Sequence, residues 1–437
     1  LSAAPQEIFN MLMESQYWPP EQMLAFQRHQ LSQLLHHARA NVPFYKNRLE
    51  PVFTKNGDID WDRWHEIPIL KRHHLIDQRE SMLATKLPKG HGAVWEEFSS
   101  GSSGTPITTR HNILEGWVSA AVLYRAQTWH GMDWSATSVT WFGNDDQKAA
   151  WPDGAEKPSW APEWLEPAQR GKAYAINRAT PEEKVIEFTL RKNAKYLSSR
   201  PKNVQSLALA AERLKISLKL DLVTTFSTGV TDDEREDIRR AFGANPMSLY
   251  SSGEGCKIAI SCSAGTHFHI NSELDYLEIL DDDGRPCEIG QPGRVVITPV
   301  YNTAQPLIRY EQGDIAIRGA ACSCGRQLAV LQEISGRTTH LFRFPDGHKM
   351  APSLPDQRFN AGFGSKTWQL VQTAALEVEL RYVRTDPNLT LDKNFAVEMI
   401  RQRVHPSLEV KFVELAETPL TEAGKFIQYK SELPQVS

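Results

Sequence analysis

Between Phe98 and Ile107 the chain reads Ser99-Ser100-Gly101-Ser102-Ser103-Gly104-Thr105-Pro106, residue types suited to wrapping a phosphate. Gly101 and Gly104 let backbone N–H groups approach an anion, and Ser99, Ser100, Ser102, Ser103 and Thr105 add hydroxyl donors without bulk. No Gly-Lys-Ser/Thr follows, so this is not the nucleotide loop of the common NTPases. A Ser/Gly run also fits a flexible or engineered linker. Its flanks argue for a built loop: Val94 and Trp95 precede it, and a helical pattern through Trp117, Ala121, Leu123 and Tyr124 follows. The other reactive residues are five cysteines, Cys256, Cys262, Cys287, Cys322 and Cys324. An odd count within one stretch is unlike a secreted disulfide framework and points to metal ligands or plain thiols.

These residues need a scaffold, and the pattern supplies one. Leu24, Leu31, Leu34, Leu35 and Ala38 recur at helical spacing from Glu21 to Ala40, with Pro43 just beyond. The adjacent pair His36-His37 diverges by about 100° on such a helix and reads as surface. Between Gly143 and Gly171, Trp151, Trp160 and Trp164 stand among prolines and charges, as in a structured loop that either packs or walls a pocket. Thr231-Asp-Asp-Glu234 is a capping box for a helix with Ile238, Ala241 and Phe242 inward. With strands at Leu222–Thr225 and Met247–Tyr250 around it, the β-α-β rhythm predicts an α/β fold with a parallel sheet, with Ser251-Ser-Gly-Glu254 on its carboxyl edge, where ligands bind. Leu277–Leu280, an Asp283-Gly284 turn and Arg294–Thr298 read as antiparallel strands, and Leu307-Ile-Arg-Tyr-Glu-Gln-Gly-Asp314 as a strand ending in a Gly-Asp turn. After Ser335 a small α+β domain is expected. It has a strand through Leu376, Val378, Leu380 and Tyr382, a helix through Ala396, Met399, Ile400 and Val404, and a strand at Val410 and Phe412.

The 437 residues with 41% apolar content suffice for a large core in two or three domains. A net charge of −4 from 49 basic and 53 acidic residues makes no field for nucleic acid or an anionic membrane, so neither is an expected partner. No apolar run approaches spanning length, and residues 1–20 lack the order of a secretory signal. The expected compartment is the cytoplasm, and nothing in the pattern excludes a homodimer.

Taken in order, the motifs resemble those of the adenylate-forming superfamily, specifically its phenylacetate–CoA ligase-like branch. Ser99 to Pro106 matches the branch's Ser/Thr/Gly loop, Tyr250 to Glu254 its Tyr-x-x-x-Glu, Arg309 to Asp314 its Arg-Tyr-x-x-Gly-Asp, Gly336-Arg337 its hinge, and Gly424-Lys425 its late Gly-Lys. Gln30 to Leu49 is similar to the branch's opening, so the resemblance spans essentially the whole chain. It implies a large adenylate-forming domain, 1–335, with mixed and parallel sheets layered with helices, and a small α+β lid, 336–437, carrying Lys425. It further implies that the 99–106 loop, with Tyr250, Ser251 and Arg309, binds ATP. Glu254 would help hold Mg²⁺, Asp314 would bind the ribose hydroxyls, and Arg337 and Lys425 would approach the reacting phosphate. A carboxylate attacking the α-phosphorus of ATP is anion meeting anion, so cationic groups must neutralise the developing charge. Trp141, Phe142, Phe226, Ser227 and Gly229 are the candidate acyl-pocket residues.

The expected activity is an AMP-forming ligase that activates a carboxylic acid, with aromatic acids favoured, and passes the acyl group to coenzyme A. An amide-forming synthetase or carrier-protein loader shares every ATP motif, and a zinc-stabilised relative without turnover is a third reading. Two departures stand out. Thr338-Thr339-His340 replaces the acidic hinge residue, and Thr228-Gly-Val230 replaces the Gly/Ala-Glu before the capped helix. In some relatives a Cys-x-Cys-Gly and a Cys with a following His recur, here Cys322-Ser-Cys324-Gly and Cys262 with His269. Four such ligands suit a closed structural Zn²⁺ site, with His267 and Cys256 as competing ligands and unligated thiols as the plain alternative.

Overall fold

The computed structural model describes residues 3–98, 107–142, 149–337, 341–365, 367–384, 388, 390–420 and 426–433, with Arg337 described in its backbone only. Two compact units divide it: a larger one drawn from Leu1–Ser99, Ile107–Gln312 and Ala316–Ile334, and a smaller one made chiefly of Ser335–Ser437.

The larger unit is organised by a sheet of twelve described strands. In its first half Ala173–Ile176, Ser138–Trp141, Tyr196–Ser199, Leu222–Thr225 and Pro246–Ser252 lie side by side and parallel, with Ala155–Lys157 antiparallel at the edge. Parallel neighbours need crossovers, and the helices Glu182–Arg191, Pro201–Leu214 and Asp232–Phe242 supply them. Each buries an apolar stripe: Val185, Ile186 and Phe188 on the first, Val204, Leu207 and Ala208 on the second, Ile238 and Phe242 on the third, all in one cluster with Val139, Leu197 and Val223 of the strands. The capping box forms as the spacing predicts, with Thr231 Oγ1 accepting from the Glu234 N–H at 3.2 Å and Glu234 accepting from the Thr231 N–H at 2.8 Å. Gly243, at φ 74°, ends that helix in the left-handed region.

Beyond Pro246–Ser252 the sheet turns antiparallel through Cys256–Ser261 and Phe268–Ile270. It continues through Val330–Arg337, Tyr310–Arg318, Pro292–Pro299 and Asp275–Leu280. The expected Gly-Asp turn is not there. The strand begins at Tyr310 and runs through Gly313 and Asp314 to Arg318, with Tyr310, Gln312, Asp314 and Ala316 buried in alternation. Gly313 takes φ 76°, a local distortion that glycine accommodates without ending the ladder. The helix foreseen from Glu21 runs Pro20–Asn41, and the one after the Ser/Gly run covers Ile113–Trp129 with Asn112 as its cap. Around the tryptophan-rich loop packing dominates: Trp160 Nε1 donates to the Ala136 carbonyl at 2.9 Å, Trp164 meets Phe9 and Tyr124, and Lys184 and Arg191 lie over Trp151.

The smaller unit has its own four-stranded sheet, with Glu377–Val383 central between Thr367–Ala374 and Glu409–Leu415. Val378, Leu380 and Tyr382 point inward with Trp368, Phe359 and Phe363 and with Ala396 and Ile400 of the helix Lys393–Arg403, whereas Leu376 lies outside the strand and is exposed. No described helix is long and apolar enough to cross a membrane.

Candidate active site and metal cluster

The two strands flanking the Ser/Gly run, Val94–Phe98 and Thr108–Asn112, pair antiparallel with Phe98 opposite Thr108. The loop 99–106 itself lies outside the described residues, as do Thr338, Thr339, His340 and Lys425 and the side chain of Arg337. The described part of the candidate site is the sheet edge that carries Tyr250, Ser251 and Glu254.

Tyr250 and Ser251 lie near the end of Pro246–Ser252, half-buried and exposed respectively, and Glu254 follows in the reversal into the next strand. Glu254 is 7% exposed and accepts a hydrogen bond from Tyr310 Oη at 3.3 Å, with Arg72 Nη1 at 3.8 Å. Gln312 Nε2 donates to Ser252 Oγ at 3.1 Å. Two motifs 56 residues apart in sequence are thus joined directly by side chains. Asp314 is buried two residues beyond Gln312. Arg309, an expected ATP-binding residue, is held within the fold by its side chain. Its guanidinium holds Glu278 through both Nε and Nη2, at 3.2 and 3.1 Å, while Nη1 donates to the His65 and Ile67 carbonyls, both at 2.7 Å. With its backbone in the left-handed region at φ 53°, Arg309 anchors the entry to the strand that carries Tyr310 and Asp314.

The acyl-pocket candidates cluster at the carboxyl ends of the parallel strands. Phe142 and Phe226 meet edge to face at 4.9 Å, and Arg200 lies 5.1 Å from the Phe142 ring centre. Ser227, at φ 76°, and Gly229 are exposed on the same loop. Trp141 is 4% exposed within the helix-packed core; it supports the edge from beneath.

Cys262, His269, Cys322 and Cys324 present donor atoms that all lie within 4.8 Å of one another. The Cys262 and Cys322 sulfurs are 3.8 Å apart, far beyond a disulfide bond and close to the edge of a tetrahedron with metal–sulfur bonds of about 2.3 Å. Cys324 Sγ lies 3.3 Å from His269 Nε2. Backbone N–H groups of Ala264 and Cys324 donate to the Cys262 and Cys322 sulfurs, each at 3.3 Å, an arrangement that steadies thiolate. Burial, with His267 nearby, pushes His269 down to about 4, so its ring is neutral and able to ligate. His267 Nε2 is 3.0 Å from Cys322 Sγ, at the margin of the four. Cys256 is elsewhere, beside His111 and Glu115, and Cys287 is buried in another cluster, its thiol donating to the Pro292 carbonyl at 3.5 Å.

Sequence reading missed the groups that hold the edge in place. Glu278 and Arg72 carry no motif of their own. A fully buried pair, Arg125 and Glu273, binds at 2.6 Å, and Ser15 Oγ donates to the same carboxylate oxygen at 2.5 Å. Only contact between distant segments makes these partners, so spacing gave no signal. For His111 and Glu115 a signal existed in their four-residue separation across a helix start.

No protein-family model matches the chain. Its sequence is 24% identical over 339 residues to the phenylacetate–coenzyme A ligase of Thermus thermophilus, covering 73% of this chain and 71% of that one. The fold is shared with 2-hydroxyisobutyryl-CoA ligase solved in the postadenylation state with 2-HIB-AMP, at TM-score 0.69 and 19% identity, over 96% of this chain and 92% of the other. O-succinylbenzoate coenzyme A synthetase from Bacillus subtilis, solved with ATP and magnesium, aligns over 76% of this chain and 68% of its own at TM-score 0.52 and 11% identity.

Proposed function

We propose that this chain is an AMP-forming ligase of the adenylate-forming superfamily, in its phenylacetate–CoA ligase-like branch, a reading supported by its sequence similarity to the Thermus ligase and by the fold it shares with 2-hydroxyisobutyryl-CoA ligase. It activates a carboxylic acid with ATP to an acyl-adenylate and transfers the acyl group to coenzyme A. The observation that carries the reading is the direct joining of two motifs: Tyr310 bonds Glu254 and Gln312 bonds Ser252 at one sheet edge. Such an edge is where α/β folds bind ligands. In this reading Glu254 helps hold Mg²⁺ and Asp314 the ribose, with the 99–106 loop on the phosphates and Arg337 and Lys425 from the lid, 336–437, at the reacting centre. The facing rings of Phe142 and Phe226 favour an aromatic acid, since edge-to-face packing accepts a further ring. Four soft and borderline donors at tetrahedral separations favour structural Zn²⁺ at Cys262, His269, Cys322 and Cys324.

The test is pyrophosphate release over a panel of aryl, arylacetic and fatty acids, with products read by mass. A thioester formed only when acid, ATP and coenzyme A are all present is expected, with aryl or arylacetic acids leading. A product formed only with an amine or a carrier protein would replace coenzyme A as acceptor, and no release with any acid would remove adenylation.

A further inference from the structure

Behind the Glu254 reversal lies a second group of metal-ligating side chains. His111, on the strand leaving the Ser/Gly run, Glu115, in the first turn of the helix Ile113–Trp129, and Cys256, two residues past Glu254, bring their donor atoms within 4.8 Å of one another. His111 and Glu115 are wholly buried. His111 Nδ1 and Glu115 Oε2 are 2.8 Å apart, and Thr109 Oγ1 lies 2.9 Å from His111 Nε2. Cys256 takes φ 52°, uncommon for a residue with a side chain and a mark of a site constrained by its surroundings.

A hydrogen-bond network alone leaves atoms over. The Cys256 thiol serves Glu115, but both carboxylate oxygens of Asp275, a residue with no exposed surface, have no hydrogen-bond partner among the described residues. Asp275 lies within electrostatic reach of both Glu115 and Cys256. Buried carboxylate oxygens are ordinarily paired or bound to a cation. The neighbouring cation, Lys257, directs its ammonium to Ser119 Oγ at 3.1 Å. Ionised, Cys256, Glu115 and Asp275 would carry three negative charges. A divalent ion together with the Lys257 ammonium balances them.

We propose that His111, Glu115 and Cys256 form a second metal site, separate from the four-donor cluster, that takes a borderline divalent transition ion of the Zn²⁺ class, with Asp275 completing its charge. Thiolate beside imidazole and carboxylate selects such an ion over Mg²⁺ or Ca²⁺. The 2.8 Å separation of Nδ1 and Oε2 subtends close to a right angle at a metal about 2.0–2.1 Å from each, so the ion replaces the proton those two atoms now share, while Nε2 keeps Thr109. Binding exchanges one metal ion for three protons, one from the Cys256 thiol, one from the His111–Glu115 pair and one from Asp275, whose burial holds it protonated until the ion arrives, all released to solvent. Thr109 Oγ1 also donates to the Gly253 carbonyl at 3.3 Å, so the ion would stiffen the reversal that carries Glu254. None of this depends on the ligase reading.

The full chain is stripped, reloaded with Zn²⁺ or Co²⁺, freed of loose ion and analysed for metal. Two ions per chain are expected. Cys256→Ser and Glu115→Gln should each retain one, as should a chain with Cys322 and Cys324 both changed to Ser, and only the combined substitutions should retain none. In the Cys322/Cys324 background the Co²⁺ protein should keep a thiolate charge-transfer band that Cys256→Ser abolishes. Should these variants not fold, competition of the unaltered chain against a chromophoric chelator still decides, since two binding events with proton release are required. A count unmoved by Cys256→Ser, or a Cys322/Cys324 variant left without metal, overturns the site and leaves a proton-sharing relay in its place.

Discussion

Arg125 illustrates how much one buried side chain can hold. Its guanidinium, with no exposed surface, donates to Glu273 at 2.6 Å, to Asn271 Oδ1 at 3.0 Å and to the Leu12 carbonyl at 3.3 Å, tying the helix Ala3–Ser15 to the helix Ile113–Trp129 and to the turn before Asp275–Leu280. Removing one member of a buried pair leaves the other charged without a partner, which costs more than the pair contributes. Arg125→Met should therefore lower stability by about 3–5 kcal/mol, read as a fall in melting temperature. Arg125→Met combined with Glu273→Leu should recover much of that loss, because no uncompensated carboxylate remains. A double variant as unstable as the single would show that packing around Arg125, and not charge, sets its value. In the sequence Arg125 is one more polar residue on a mostly apolar helix; only the fold shows that it faces Glu273, 148 positions away.

Whole elements were more legible than their partners. The capped helix Asp232–Phe242 and its flanking strands stand where capping chemistry and β-α-β periodicity place them, because those signals are local. Each end of that helix can be tested separately. Thr231→Ala removes a side-chain cap and should cost about 0.5–2 kcal/mol. Gly243→Ala meets nothing within 4 Å, so its cost is backbone strain alone, about 1–2 kcal/mol for a left-handed residue. Melting temperatures should fall for both, and a Gly243→Asn chain should lie between parent and Ala, since asparagine tolerates that conformation. Local signals failed where a tertiary neighbour decides. Gly313-Asp314 reads as a turn by residue preference, yet Asp314 is held inside a nine-residue strand. Arg309 carries a visible motif, but its partners, Glu278 and two carbonyls, lie in distant segments that no local pattern names. The cysteine cluster is an intermediate case. Its Cys-x-Cys spacing is visible in the chain, but the choice of His269 with Cys262 rests on the pairing of Cys256–Ser261 with Phe268–Ile270, which sets His269 opposite Ile260. If that cluster holds Zn²⁺, Cys322→Ser or Cys324→Ser should lower the melting temperature and release the ion, because binding energy at such a site is folding energy.

At the scale of the whole molecule, the proposed chemistry is divided between two units with separate cores. Phe342, Trp368, Leu380 and Ile400 form a cluster that draws only on the smaller unit, and Val139, Leu197 and Ile238 one that draws only on the larger. Glu254 belongs to the larger unit, and Lys425 falls in the stretch Ser335–Ser437 of the smaller. A reaction in two steps can use such a division, since a cation needed while the adenylate forms need not be present when coenzyme A attacks. Losing one preorganised donor to a developing anion costs on the order of 10²–10³ in rate. Lys425→Ala should therefore slow ATP-dependent pyrophosphate exchange by about that factor. Given preformed acyl-adenylate, the same variant should pass the acyl group to coenzyme A at close to the parent rate. Melting temperature and adenylate binding, measured alongside, should match the parent. Equal losses in exchange and transfer would assign Lys425 to general binding or folding, and full activity in both would place the reacting cation elsewhere in the chain.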